Sequence, residues 1–277
     1  EALPVLGRDG WEPHADEDVL EDGLRGLRAV ANQAVVRRHV TPAQQARALL
    51  LHDGTNQRAH RLAVTFVARD SAGFEVRQVW RSRPDSYLLD YDVTVNGAPA
   101  GTADWSLTAR SWPLMTESNP DNDARLVRGI GLIGKDVKRD GAQGLINKTP
   151  KVHEGAVHWA GVQSHYFLGV FTPVGAEGRS VTNAGVAYTV TADDKARLPK
   201  NSKPTQPIAQ STMVMGAPAS GTQRFAVYFG PADYFAIAKV AGAGRPGSLQ
   251  LEKAVDMGAS WLLPFSYPLL QLLRLLE

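Results

Sequence analysis

The chain has 277 residues, with Lys+Arg 30 against Asp+Glu 28, a formal net charge of +2 and 43% hydrophobic residues. This composition suits a folded chain with a sizeable core and excludes a disordered one. The near-neutral balance argues against nucleic acid as a partner, since phosphate neutralisation needs a concentrated basic face, and the absence of cysteine excludes disulfide scaffolds, zinc–thiolate centres and thiol catalysis.

The sequence starts at Glu1 without an initiator Met or a signal peptide, so a mature or excised piece is expected. Eight acids and one base, Arg8, fall in residues 1–22; seven arginines and one acid, Asp53, fall in 25–61. A solvated surface explains this segregation, with a partner-binding stripe as the other reading. Thr41-Pro42-Ala43-Gln44 reads as a helix start, with Thr41 capping, Pro42 at the first helical position and Gln44 completing a capping box. Ala46 to Leu51 continue that helix towards Gly54, so residues 1–60 are taken as a separate, partly helical segment.

From Leu62 the apolar period changes to two. Leu62, Val64, Phe66 and Ala68 alternate with their neighbours; Phe74, Val76, Gln78 and Trp80 do so after a turn at Asp70 to Gly73. Tyr87, Leu89, Tyr91, Val93 and Val95 follow a second turn at Arg83 to Ser86. This predicts an antiparallel meander with one wet face. Trp105, Leu107 and Ala109 predict another strand.

Tyr166 to Phe171 is apolar on both faces, as between two layers, and Val181 to Val190, Thr212 to Met215 and Arg224 to Phe229 also read as strands. Many short strands separated by Gly and Pro predict a large antiparallel sandwich over 61–240, with helix mainly in the first 55 and last 50 residues. Two basic stretches, Lys135 to Lys151 and Lys195 to Gln210, read as solvated loops, with an anionic membrane surface as the alternative contact. Gly230-Pro231-Ala232-Asp233 predicts a helix start with Pro231 in the first turn and Asp233 near the positive end of the dipole. Leu249 to Met257 and Pro268 to Leu276 are further helical candidates, so 248–277 reads as a C-terminal helical segment.

The most apolar stretch, 261–276, is broken by Pro264, Ser266, Pro268, Gln271 and Arg274. As a helix it reaches about 24 Å, short of the roughly 30 Å hydrocarbon core, so no span is read. From Pro268, Gln271, Arg274 and Glu277 form one narrow polar stripe and leucines cover the remaining arc, which predicts an amphipathic helix lying on a membrane surface or packed on the domain.

Signals for chemistry are weak. Among His153, His158 and His165, neighbours have opposite strand parity, so a shared metal would need distant parts of the fold to converge. Asp90 and Asp92 share a strand face about 7 Å apart, a spacing open to glycosidic acid–base work, yet ordinary for solvated aspartates. Gly129 to Gly134 matches G-x-G-x-x-G in letters only and reads as a flexible loop or bulged strand. No metal, no cofactor and no enzymatic activity are expected.

The C-terminal third carries a family resemblance. His158-Trp159-Ala160-Gly161 through Tyr166-Phe167, the step Tyr228-Phe229-Gly230-Pro231-Ala232-Asp233-Tyr234, the run Leu251 to Gly258 with Val255-Asp256, and Pro268-Leu269-Leu270-Gln271-Leu272-Leu273 agree in order and spacing with motifs of that domain. The chain thereby resembles the large periplasmic domain of YidC membrane protein insertases, over roughly residues 60–277. Where the family has an aromatic pair after the Asp-x-Gly step, this chain has Ala259-Ser260-Trp261, so only Trp261 carries over.

The resemblance implies a β-supersandwich of the galactose-mutarotase kind with short C-terminal helices, on the periplasmic side of the bacterial inner membrane. It implies a parent that inserts and folds membrane proteins, alone or with the Sec translocon, through transmembrane helices that this sequence does not contain. The expected partners are Sec translocon components and nascent membrane proteins, through the parent, and the membrane surface through the last helix. The candidate contact residues are Trp261, Pro268, Leu269, Leu272, Leu273, Arg274 and Leu276. A carbohydrate-binding or carbohydrate-active sandwich enzyme, epimerase-like, and a periplasmic chaperone with an apolar cleft are the competing readings.

Overall fold

The period-two stretches of the sequence become strands, and the strands join into a single hydrogen-bonded network. In the computed structural model the described residues are 49–51, 63–69, 71, 73–84, 86–98, 104–111, 119–196, 198–200, 202–218, 221–242, 248–256, 268, 269 and 272. The strands are β1 (Leu49–Leu51), β2 (Ala63–Arg69), β3 (Glu75–Ser82), β4 (Leu88–Asn96), β5 (Asp104–Arg110), β6 (Arg128–Ile133), β7 (Asp136–Gly141), β8 (Lys151–Gln163), β9 (Phe167–Val174), β10 (Gly178–Thr189), β11 (Thr205–Gly216) and β12 (Thr222–Pro231). Three helices, α1 (Pro120–Leu126), α2 (Ala192–Lys195) and α3 (Tyr234–Ala241), and two 3₁₀ turns, Gln143–Leu145 and Leu251–Ala254, complete the described elements.

The strand order is β1-β2-β3-β4-β12-β9-β8-β10-β11-β5, with the hairpin β6–β7 laid along β8. The expected meander is β2–β3–β4, antiparallel throughout. The long strand β8 divides the network. Its first half pairs with β10 and its last four residues pair with β9 along one edge, while β6 occupies the other edge. A register shift opposite Gly178 and Ser180 puts Gly155, at φ 132°, in a bulge within the β10 pairing, a few residues before β8 passes to β9 at Ala160. Such a bulge bends a strand and increases its twist, which lets one antiparallel network fold over itself as a β-sandwich.

Two cores result. The first lies between the layers: Trp80, Tyr91, Val93, Phe171, Phe225 and Val227 face Trp105, Leu107, Val157, Val181, Met213 and Met215. Trp80 and Tyr91 stack at 3.9 Å, and Phe171 and Phe225 meet edge-on at 6.3 Å. The second lies on the outer face, where Ile130, Leu132, Trp159, Leu168, Val170 and Tyr228 are covered by Ile237 and Ala241 of α3 and by Leu251 and Ala254.

Several expectations are corrected. The helix read through Ala46 to Leu51 is not helix over its last three residues: Leu49–Leu51 pair antiparallel with Ala63–Thr65 as an added meander strand. Its local capping pattern loses to an open sheet edge; the start at Thr41 lies outside the described residues. Of the two readings of Gly129 to Gly134, flexible loop and bulged strand, the structure has the strand: Gly129 to Ile133 lie in β6, with a register shift against β8 between Leu132 and Ile133, and only Gly134 is in the turn, at φ 57°. A Cβ on Gly129 would meet the Asn183 Oδ1 at 2.6 Å, so the glycine serves close approach to β10.

Helix also occurs mid-chain. Asn119 accepts from the Asn122 amide at the start of α1, and Thr191 and Asp194 form a capping box on α2; these helices are too short to show an apolar period. Pro231 closes β12, and Asp233 rather than Pro231 opens α3, as its N-cap, accepting from the Ala236 amide at 2.7 Å. Of the helix expected over Leu249 to Met257, the described residues 249–256 form only the turn Leu251–Ala254. The first basic stretch is mostly hairpin and strand, with Lys138 and Arg139 in β7 and Asp140 buried.

Candidate functional site

The alternation of β6 and β7 prepares the site. Arg128, Ile130 and Leu132 alternate onto the outer face of β6, as Val137 and Arg139 do on β7, and Ile130 lies directly opposite Arg139. Two arginines therefore border an apolar patch. The C-terminal segment lands there. Gly242 ends α3 in the left-handed region at φ 67°, as helix C-termini favour, and the Leu249 amide returns to the Ala241 carbonyl at 3.1 Å. Gln250, also left-handed at φ 54°, turns the chain into the 3₁₀ turn that buries Leu251 and Ala254 completely.

Three side chains hold that turn. The Trp159 indole Nε1–H donates to the Gln250 carbonyl at 3.3 Å. The Arg139 guanidinium donates through Nη2 to the carbonyls of Lys253 at 2.8 Å and Ala254 at 3.2 Å. Arg128 faces the Asp256 carboxylate at 3.6 Å. Burial pushes the Arg139 pKa down; Asp256 opposes that shift, and the neighbouring Arg128 adds to it. Carbonyls at the end of a turn lack internal partners, so the arginine supplies donors that water would otherwise give.

Of the residues expected to make contact, Pro268, Leu269 and Leu272 are helical, and Leu269 and Leu272 are 57% and 53% exposed. Trp261, Leu273, Arg274 and Leu276 lie outside the described residues. Arg128 and Arg139 were not anticipated. Their signal was available in the parity of Val137 and Arg139, but it has meaning only once the stretch is seen as a strand.

His153, His158 and His165 do not converge. Each takes its own carboxylate: His153 Nε2 lies 2.7 Å from Asp140, His158 Nδ1 3.1 Å from Glu177, and His165 Nδ1 2.9 Å from Asp123. Among the described residues, no group of three or more metal-ligating side chains forms. Asp92 is paired with Arg81 at 2.6 Å and Asp90 with Arg83, so the two carboxylates are bound within the meander and not aimed at a shared point.

Asp140 is a buried acid held by three partners. It accepts from Asn183 Nδ2 at 2.9 Å, from His153 and from Lys151 Nζ at 3.0 Å. Burial pushes its pKa up, but these three partners outweigh burial and hold it below the usual carboxylate range. Beside it an open cleft of about 810 Å³ is lined by Arg125, Gln143, Lys148, Thr149 and Lys151. Its cations suit anions electrostatically, but Lys151 is already committed to Asp140.

The sequence profile of the YidC periplasmic domain matches residues 19–272, reaching into the first 60 residues that the sequence motifs left aside. Two curated relatives are each named membrane protein insertase YidC. One, from Chlorobaculum parvum, is 22% identical over 204 residues, 73% of this chain and 32% of the relative. The other, from Maridesulfovibrio salexigens, is 27% identical over 207 residues, 73% and 33%. The chain thus spans about a third of the length of the curated relatives it matches.

Among solved structures, a GH36 α-galactosidase from Geobacillus stearothermophilus is similar at a TM-score of 0.31 and 9% identity, covering 76% of this chain and 31% of that one. A TPR-domain containing protein from Parabacteroides distasonis reaches 0.22 at 13% identity, covering 66% and 34%. Neither likeness bears on function. The profile, by contrast, runs through both cores and past the arginine-held turn, and on that extent the chain belongs to the YidC periplasmic domain family.

Proposed function

We propose that this domain is a non-catalytic module on the periplasmic side of the bacterial inner membrane, supporting the insertion and folding of membrane proteins by a YidC-type parent. It docks to partners such as the Sec translocon, and its C-terminal segment lies on the membrane surface. The observation that carries this reading is the exposure of Leu269 and Leu272 on helical residues, shortly after a turn that Trp159, Arg139 and Arg128 fasten to the sheet. A leucine moved out of water contributes about 1.5–3 kcal/mol, so a pair left in water favours an apolar or interfacial environment. Family membership supports the same reading, because the matched relatives are membrane protein insertases.

The test is co-sedimentation with liposomes of the 277-residue chain against one ending at Ser266. Weaker binding with an unchanged melting temperature is expected. Equal binding overturns the membrane contact, and a clear loss of melting temperature assigns the segment to packing on the domain instead. Co-purification of translocon subunits with the full-length parent, carrying or lacking this domain, checks the docking role.

A further inference from the structure

We propose that the aromatic rim at one end of the sandwich, formed by Tyr87, Tyr166, Phe167 and Phe229, is a second contact of this domain with the lipid bilayer, seated in the interfacial layer. The inference rests on the membrane attachment of the parent argued above, but it uses different residues from the C-terminal helix.

The four aromatics form one row across adjacent strands. The Phe229 amide donates to the Tyr87 carbonyl at 3.0 Å, Gly169 and Phe167 lie opposite Phe229 and Pro231, and the Ala232 amide donates to the Tyr166 carbonyl at 2.7 Å. Tyr87, Tyr166, Phe167 and Phe229 are 50%, 49%, 58% and 38% exposed. Among the described residues of the strands, the other large apolar side chains exposed are Val152, at the start of β8, and Val174, at the far end of β9 from Phe167. Both sit at the opposite end, so among the described residues the exposed aromatics Tyr87, Tyr166, Phe167 and Phe229 gather at one pole.

That pole is also where the chain leaves for its last segment. Gln163 pairs with Leu168 on one side and with Arg128 on the other, and Arg128 faces Asp256, so the exit lies on the same strand ends as Phe167. The exposed Leu269 and Leu272 follow thirteen and sixteen residues later in the chain. Charge does not oppose an anionic surface there. Asp123 is paired with His165, Asp121 with Lys203, Asp90 with Arg83 and Asp256 with Arg128, while Asp233 caps α3. Tyrosine and phenylalanine suit the level between headgroups and acyl chains, where a ring is half apolar and a phenol can stay wet. Lipid is therefore the occupant that the residue types and the exit of the chain both favour.

The probe is vesicles of phosphatidylethanolamine and phosphatidylglycerol at 3:1, read by co-sedimentation of the 277-residue chain. The double variant Tyr87→Ser with Phe167→Ser is expected to bind about tenfold more weakly. Val152→Ser, equally exposed at the opposite end, is expected to bind as the parent does, and Phe167→Trp to bind at least as well. Should the double variant melt lower, Phe167→Ser alone decides, because that ring is mostly in solvent.

Each arm is repeated on the chain ending at Ser266. A loss caused by the rim variant in both lengths supports the proposal. A loss caused by the rim variant with none caused by the shortening keeps the rim and removes the C-terminal helix. Loss on shortening alone overturns the rim and keeps the helix. Vesicle binding that neither change alters, or no binding by any chain, overturns both and turns the rim over to a protein partner.

Discussion

The two cores of this domain are closed by different means. Between the layers, sheet packs on sheet, and rings from distant strands interlock: Trp80 stacks on Tyr91, with Phe171 edge-on to both and Phe225 tilted against Tyr91. On the outer face, the sheet is closed by a short helix and a single turn, which hydrogen bonds from Trp159 and Arg139 help to hold. The first core joins most of the strands and so carries the fold. The second joins a few residues of one segment to a finished sheet and so carries the attachment of whatever follows Asp256. Strength of packing and density of polar fastening thus divide between scaffold and attachment.

The widest test of that division is Trp80→Ala. Trp80 is 1% exposed, and truncating such a ring costs about 3–5 kcal/mol. In a domain of this size that corresponds to a fall in melting temperature of about 10 °C. Scanning calorimetry should show the whole transition moving, with no separate early step.

Leu251→Ala sharpens the comparison at smaller global effect. The side chain is fully buried, so its loss costs about 2–3 kcal/mol, but the cost falls on the segment and not on the sheet. Limited proteolysis should cleave about tenfold faster on the C-terminal side of α3, while the main melting transition shifts less than in Trp80→Ala. If both variants instead shift one transition equally and cleavage does not change, the two cores are one cooperative unit and the comparison fails.

The smallest expected effect lies on the hairpin that stands between the regions, and it depends on pH. Asp140 has a folded-state pKa below its ordinary value, about 3.9 unfolded. Its contribution is therefore present above about pH 4 and lost as pH falls through the lower, folded-state value. Melting curves of the parent and Asp140→Asn should differ at pH 6–7 and converge as the pH drops below about 4. A difference that stays constant to pH 3 would show that Asn183, His153 and Lys151 do not depend on the carboxylate charge.

How much of this was legible in the chain follows from how far each signal reaches. The meander was legible from Val64, Trp80, Tyr91 and Val93, because alternate side chains on a strand must point to opposite faces wherever the strand goes. So were β5, β9, β10, β11 and β12, and the family motifs around Trp159, Gly230-Pro231 and Val255-Asp256 identified the domain. The last three residues of the supposed helix through Leu51 were misread because capping residues act within one turn, whereas the edge of β2 that captured Leu49–Leu51 is not visible locally. The glycines of β6 left loop and bulged strand both open, because their purpose is approach to Asn183 and Val181, fifty or more residues away in the chain.

The sequence by itself therefore determined that the meander and β5, β9, β10, β11 and β12 extend, the inward face of the meander, and the family. The tertiary structure alone decided which strands became neighbours, that β8 divides between β9 and β10, that Arg139 and Arg128 hold the C-terminal turn, and that four exposed aromatics share the pole from which the chain departs. The physical reason is one of range. Strand parity and capping are set by a residue's immediate neighbours, while partner strands, carbonyls to be satisfied and surfaces left exposed are set by groups that meet only after the chain has folded.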